Sequence, residues 1–270
     1  MAVIAFFSAK GAPGVTTAAM LTASLWPRQA LLVDCDPGGG DVGLRLPGVD
    51  GRPLDLERGL LTLLPRARRA LEPRELLEHA QRVAGGTQVI VGLSGPEQAS
   101  AGGALWTTLV QAFAGLDGYD VVVDLGRVDT KSPLLPLLQN ADIAVCVLAA
   151  SVSSVIITRA RLRALRPVLA GSSGTGPRLG LIVRADADRR DVDGAAAAIR
   201  ADVPDIHLLG QLASDRRGAG IFDGRPVARP ERTMLVRSGA EVVAQLSALI
   251  TPSAWSPSTT YSHRIPGATR

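Results

Sequence analysis

Aromatic residues make up only 3% of this 270-residue chain, and lysine is scarcer still. With few aromatics available, a core must be built from Ala, Val, Leu and Ile, and 46% hydrophobic residues are enough to build one. Cysteine is almost absent. Cys35 and Cys146 lie far apart in apolar runs, which excludes a disulfide framework or a cysteine-rich metal site and reads as two reduced, structural thiols. No long apolar run is present either: the longest, around 143–157, is broken by Ser151, Ser153 and Ser154 and is too short and polar to span a bilayer. The amino-terminal apolar run has no basic region before it and no small-residue cleavage site after it, so it does not read as a signal peptide. A soluble, cytoplasmic protein is expected.

The formal net charge is +4, and all the basic residues are arginines except Lys10 and Lys131. Lys10 therefore stands out. It lies in a glycine-rich stretch, S-A-K-G-A-P-G-V-T-T at 8–17, where a compact ammonium on a flexible stem suits a phosphate cradle better than a planar guanidinium does.

Short Val/Ile/Leu-rich runs alternate with helical stretches. Ala2–Phe7, Ala30–Asp34, Gln88–Val91, Asp120–Asp124, Ile143–Leu148, Leu179–Val183 and His207–Leu209 read as strands covered on both faces, because they lack polar alternation. Helices are expected over Val15–Leu25, Arg74–Arg82, Ala104–Ala114, Val155–Leu169, Val192–Asp202 and Leu235–Leu249. The alternation predicts an α/β fold, with a doubly wound, mostly parallel sheet and helices on both faces. One domain is expected over 1–250. Residues 251–270, rich in Ser, Thr and Pro and without periodicity, read as a disordered tail. The loop 170–177 reads as a connection, and no internal repeat is evident.

The stretch 8–17 follows the first strand and opens the first helix. Glycines let backbone N–H groups converge on an anion, and the helix amino terminus adds its dipole. Gly11, Ala12, Pro13, Gly14, Val15, Thr16 and Thr17 form the expected nucleotide-binding loop. Thr16 is placed for Mg²⁺ and Thr17 for an α-phosphate oxygen. A Walker A loop reads G-x-x-x-x-G-K-[ST], and here Val15 stands where the lysine belongs. Two other strands end in acids: L-L-V-D-C-D-P carries Asp34 and Asp36, and V-V-V-D-L-G carries Asp124 before Gly126. Ligands of doubly wound sheets bind outside the carboxyl ends of strands, so these segments should meet at one crevice. One acid there can hold a divalent cation and another can orient water.

With these segments together, the chain resembles the MinD/ParA-type deviant Walker A ATPases, over about residues 1–250. Their loop, K-G-G-x-G-K-[ST]-T, compares with Lys10-Gly11-Ala12-Pro13-Gly14-Val15-Thr16-Thr17, in which the signature lysine is kept while Ala12 and Val15 depart from the pattern. D-C-D-P at 34–37 and D-L-G at 124–126 resemble the family's two switches. V-S-S-V at 152–155, and G-Q-L-A-S-D at 210–215 followed by G-R-P-V at 224–227, resemble later segments. The resemblance implies a P-loop NTPase of the SIMIBI/MinD-like kind that binds ATP and Mg²⁺. It implies that Lys10 reaches a partner's phosphates across an ATP-dependent homodimer, that Asp36 activates water, and that Thr16 and Asp124 hold the metal.

Without the Walker lysine, nucleotide binding should be weak in the monomer and hydrolysis slow or absent. The implied role is a dimeric switch in positioning or partitioning of an unidentified protein cargo. The degenerate loop most resembles the CpaE/TadZ-type pilus-assembly localisation proteins. One alternative is a pseudo-ATPase scaffold of a pilus or secretion assembly. Another is a dinucleotide site using Asp34 on a ribose, against which the absence of G-x-G-x-x-G counts. Arginine clusters at 66–69, 159–166, 189–190 and 216–217 leave non-specific DNA binding open beside the simpler reading of a solvated basic face. The tail has prolines and no apolar stripe, so an autonomous membrane anchor is not expected.

Overall fold

The structure is a computed structural model that describes residues 1–11, 13–68, 71–171, 176–186, 189–250 and 265–266. Ala12, Arg69 and nearly all of the 251–270 segment therefore lie outside the described residues. Eight strands form one sheet: β1 (Val3–Ser8), β2 (Ala30–Asp34), β3 (Gln81–Arg82), β4 (Gln88–Ile90), β5 (Asp120–Arg127), β6 (Ile143–Ala149), β7 (Arg178–Ala185) and β8 (His207–Ala213). Their order is β3-β4-β2-β5-β1-β6-β7-β8, parallel throughout except where β3 runs antiparallel to β4. The mostly parallel α/β sheet expected from the sequence is the architecture observed.

Helices connect the strands: α1 (Val15–Leu25), α2 (Val42–Arg45), α3 (Leu60–Leu63), α4 (Glu75–His79), α5 (Pro96–Ala101), α6 (Gly103–Ala114), α7 (Leu135–Gln139), α8 (Val152–Ala170), α9 (Arg189–Arg200), α10 (Arg216–Ile221) and α11 (Met234–Ile250). The period-2 geometry of the strands divides their apolar residues between two cores. Ala5, Phe7, Val33, Val123, Cys146 and Val183 join a core with residues of α6, α8 and α9. Ile4, Phe6, Leu32, Val122, Val145 and Ile182 face the other way, against α1 and α11. Both faces are covered, which is why the strands read as continuous apolar runs. Both thiols are buried and free, and burial raises both above the ordinary thiol range.

Three departures from the sequence reading have local causes. The helix expected over Arg74–Arg82 stops at His79, because Ala80 turns extended and Gln81 enters the sheet edge opposite Val89. The Gln81 amide also donates to the backbone oxygens of Asp55 and Arg58, which anchors that edge. The helix expected from Val155 starts three residues earlier, because the Ser151 hydroxyl accepts the Ser154 N–H as an N-cap. The short helices α2, α3, α5, α7 and α10 carry too few turns for periodicity to announce them.

The strand order sets the functional edge. β5 lies between β2 and β1, with Asp34 level with Asp124 across β2/β5 and Phe6 level with Asp124 across β1/β5. The ends of three sequence-distant segments thus meet at the carboxyl edge, where the crossover rule places ligands.

Candidate functional site

At that edge β1 runs into the glycine loop and then into α1. Gly11 (φ 53°) and Gly14 (φ 96°) both adopt left-handed backbone, which glycine takes at no steric cost. Gly14 is also the N-cap of α1 and supplies no side chain to cap it. The amides of the first turn are therefore open to an external acceptor. The Ser8 hydroxyl braces the loop from below by donating to Gly11 O at 3.3 Å.

A cleft of about 320 Å³ opens over this turn, lined by Ser8, Gly11, Gly14, Val15, Thr16 and Thr17 from the loop and by Asp36, Gly39, Asp41, Arg45, Gly126 and Arg127 from the neighbouring strand ends. A second hollow of about 170 Å³ shares Gly14 and Thr17 with it and runs to Pro13, Arg184, Leu212, Ala213, Ala219 and Leu235. The two flank a single turn of helix: one is polar and rich in charge, the other is lined more by apolar groups.

Asp124 is fully buried beneath the cleft. Its Oδ1 accepts the Gly126 N–H at 2.9 Å, while Oδ2 is buried with no hydrogen-bond partner. Burial pushes this carboxyl up to about 6; the nearby Thr16 hydroxyl and the Gly126 amide oppose the rise, and the charges of Asp36 and Asp41 add to it. A buried carboxylate oxygen without a donor is uncommon and calls for an explanation. With Thr16 beside it, the pair fits one edge of an Mg²⁺ site, whose other ligands would be phosphate and water oxygens. No cluster of three or more acidic, His or Cys residues suited to a metal occurs among the described residues, and a magnesium held mainly through phosphates does not need one.

Asp36 lines the cleft. Its Oδ1 accepts the Gly38 N–H at 2.8 Å, and its carboxylate packs directly on Gly126, where a Cβ would come within 2.2 Å of Asp36 Cγ. Burial raises its pKa as well. Asp34 behaves differently. It is fully buried, does not line the cleft, and accepts the N–H groups of Val42 at 3.1 Å and Asp36 at 3.3 Å. Burial and the charge of Asp124 hold it well above the usual carboxylate range. Gly40 and Gly92 crowd its carboxyl so closely that a Cβ at either would collide with it. Its position is that of a clasp for the 36–42 loop. The dinucleotide alternative thereby loses its ribose-binding acid.

Lys10 is exposed and is not among the residues lining the cleft. Val15 is only 6% exposed and packs into the core beside β1, so it brings no charge to the first turn. Sequence reasoning missed Asp41, Arg45, Arg127 and Arg184. The only signal it had was the acid–base pair at i, i+4 in D-V-G-L-R: the Arg45 Nε lies 2.9 Å from Asp41 Oδ2.

Of the late motifs, Asp215 caps α10 by accepting the N–H groups of Arg217 and Gly218 and also takes the N–H of Leu235; it sits at the rim of the second hollow. The arginines of α8 do not form a bare basic face. Arg159 and Arg163 both pair with Asp202, Arg166 with Asp205 and Arg161 with Asp129. No described helix is long and apolar enough to cross a membrane.

No protein-family model matches the sequence, and no curated protein does. Solved structures match over almost the whole chain. A substituted McdA of Cyanothece in complex with ATP is 18% identical, with a TM-score of 0.71 over 95% of this chain and 99% of that one. MinD of Pyrococcus horikoshii complexed with Mg-ADP is 17% identical, with a TM-score of 0.67 over 92% and 97%. A ParA family ATPase of Chlorobium tepidum is 20% identical, with a TM-score of 0.63 over 92% and 96%. The sheet order, the glycine loop and the strand-end acids thus sit in the fold of the ParA- and MinD-type P-loop ATPases.

Proposed function

We propose that the chain is a nucleotide-dependent positioning protein of the ParA/MinD kind, binding ATP with Mg²⁺ in the cleft over α1 and dimerising when it does so. The observation that carries this reading is the unpartnered Oδ2 of buried Asp124 beside Thr16, directly under a helix turn with uncapped amides. Phosphates would lie on that turn, where N–H groups and dipole favour anions. The base would lie in the second hollow, which Gly14 and Thr17 join to the first. Bound Mg²⁺ would neutralise phosphate charge between Thr16 and Asp124. Asp36, packed against Gly126, stands at the cleft wall where a water could be oriented.

Lys10 is exposed at the loop and would act on the phosphates of a second copy. The paired arginines of α8 favour a protein cargo over non-specific DNA. Val15 deprives the first turn of its cation, so turnover is slow. A pseudo-ATPase scaffold of a pilus or secretion assembly shares this binding site and differs only in lacking turnover; the buried, uncharged Val15 favours it.

Lys10→Ala is expected to leave monomer affinity for Mg-ATP within about 3-fold of wild type but to abolish the ATP-dependent dimer and any hydrolysis. Sedimentation velocity with and without Mg-ATP, together with phosphate release, checks this. An unaltered dimer and rate in the variant would remove the role given to Lys10.

A further inference from the structure

We propose that Arg45 is the phosphate-contacting cation of this cleft, supplied from the same chain by α2 at the turn that Val15 leaves uncharged. The inference rests on the nucleotide reading above and names a residue that neither the loop motif nor the resemblance identifies.

Four observations carry it. The Arg45 guanidinium lies over the first turn of α1: its Nη1 donates to the Thr17 Oγ1 at 3.3 Å. A threonine hydroxyl that accepts there has its own proton left to donate, and the cleft is where a phosphate oxygen would receive it. The side chain is held rather than loose. Its Nε bonds to Asp41 Oδ2 at 2.9 Å and lies 3.8 Å from Asp223 Oδ1, and the side chain is 28% exposed. Its remaining terminal nitrogen, Nη2, makes no hydrogen bond among the described residues, so part of the planar fork is free for an anion. Arg127, the other arginine at the cleft, is exposed and nothing among the described residues fixes it there.

The chemistry suits the location. Guanidinium binds phosphate oxygens in pairs and stays charged at any working pH. Asp41 and Asp223 position the group and temper its charge when the cleft is empty. A triphosphate carries enough negative charge to compete with both. Because α2 follows directly on the loop that carries Asp36, a phosphate held by Arg45 would tie that loop to the bound nucleotide.

The test uses the full chain and two probes, Mg-ATP and inorganic tripolyphosphate, with titration calorimetry at several salt concentrations. Arg45→Gln keeps a hydrogen-bonding side chain without the charge, and Arg45→Ala removes both; circular dichroism and the unfolding midpoint establish that each is folded. Both variants are expected to weaken both probes by about 10- to 100-fold, the scale of a charge-assisted hydrogen bond, and to show a shallower salt dependence than wild type. Folded variants that bind both probes as wild type does would overturn the role of Arg45 while leaving the nucleotide reading intact. Wild type that binds tripolyphosphate through Arg45 but shows no gain for ATP would keep Arg45 and sink the nucleotide reading. Wild type that binds neither probe would overturn both.

Discussion

Asp124→Asn is expected to make the nucleotide-free protein more stable at pH 7.5, by about 2–8 °C in unfolding midpoint, and to remove the Mg²⁺ dependence of nucleotide binding. The first effect follows from the carboxyl's position. Its pKa is raised from 3.8 to about 6 in the fold. Between those values the folded protein keeps a proton that the unfolded chain has released, so stability falls as pH rises through that window and stays reduced above it. Ionising the buried group costs about 3 kcal/mol relative to the unfolded state. Asparagine avoids that cost, although its amide N–H groups are poorly matched to the site and return about 1–2 kcal/mol of it. The remainder, at roughly 2–4 °C per kcal/mol for a chain of this size, gives the midpoint shift. Relief of Asp34, whose raised pKa owes its second-largest contribution to Asp124, acts in the same direction. The variant should therefore lose much of the fall in midpoint that wild type shows between pH 5 and pH 7.5. A variant less stable than wild type at pH 7.5, with the pH profile unchanged, would contradict this account of Asp124. Such a trade is expected where acids are gathered for a cation rather than for stability.

Gly126→Ala should suppress any hydrolysis to the level of Asp36→Ala and lower the unfolding midpoint by several degrees. Two causes act together. Gly126 has φ 56°, which costs an alanine about 1–2 kcal/mol. The added Cβ would also lie 2.2 Å from Asp36 Cγ and 2.3 Å and 2.4 Å from its two oxygens. No small rotation clears all three, so Asp36 must leave the wall of the cleft and release the Gly38 N–H. If that collision is the dominant cost, the double variant Asp36→Ala/Gly126→Ala should recover about 1–3 kcal/mol relative to the sum of the single variants, as expected for residues in direct contact. Denaturant unfolding of the four proteins measures the coupling. Additive losses would mean that Asp36 and Gly126 do not confine one another.

How much of this was legible in the sequence depended on whether a feature was local. The Val/Ile/Leu runs of β1, β2, β5, β6 and β7 announced themselves because both faces are buried. Gly14 and Thr16 could be placed because a strand end, glycines and a helix start occur within a few residues of each other, and Asp124 because it ends an apolar run two residues before Gly126. Spacing alone did not tell Asp34 from Asp36, two residues away in the same motif, and only the resemblance singled out Asp36; the closure of the 36–42 loop over Asp34 shows that one is a clasp and the other lines the cleft. Arg45 was hidden for a related reason. It reaches Thr17 across 28 residues, and only the folded course of the chain brings the two side chains together. The arginines of α8 looked like a basic patch because their acids, Asp202 and Asp205, lie beyond the next strand and helix; Arg159 and Arg163 meet Asp202 across 43 and 39 residues. Lys10 is exposed at the loop, and the reach across a dimer that the resemblance implies for it is what the Lys10→Ala variant tests.

The central claim is that Thr16, in the first turn of α1, and Asp124, beneath it, hold magnesium on a bound nucleotide. Calorimetric titration of the wild-type chain with ATP, in Mg²⁺ and again in excess chelator, tests it most directly. The expected result is saturable binding of one ATP per chain in Mg²⁺, weakened at least about 10-fold when the metal is removed, the scale of one lost charge-assisted contact. Binding of equal strength in the two conditions, or no binding in either, would contradict it.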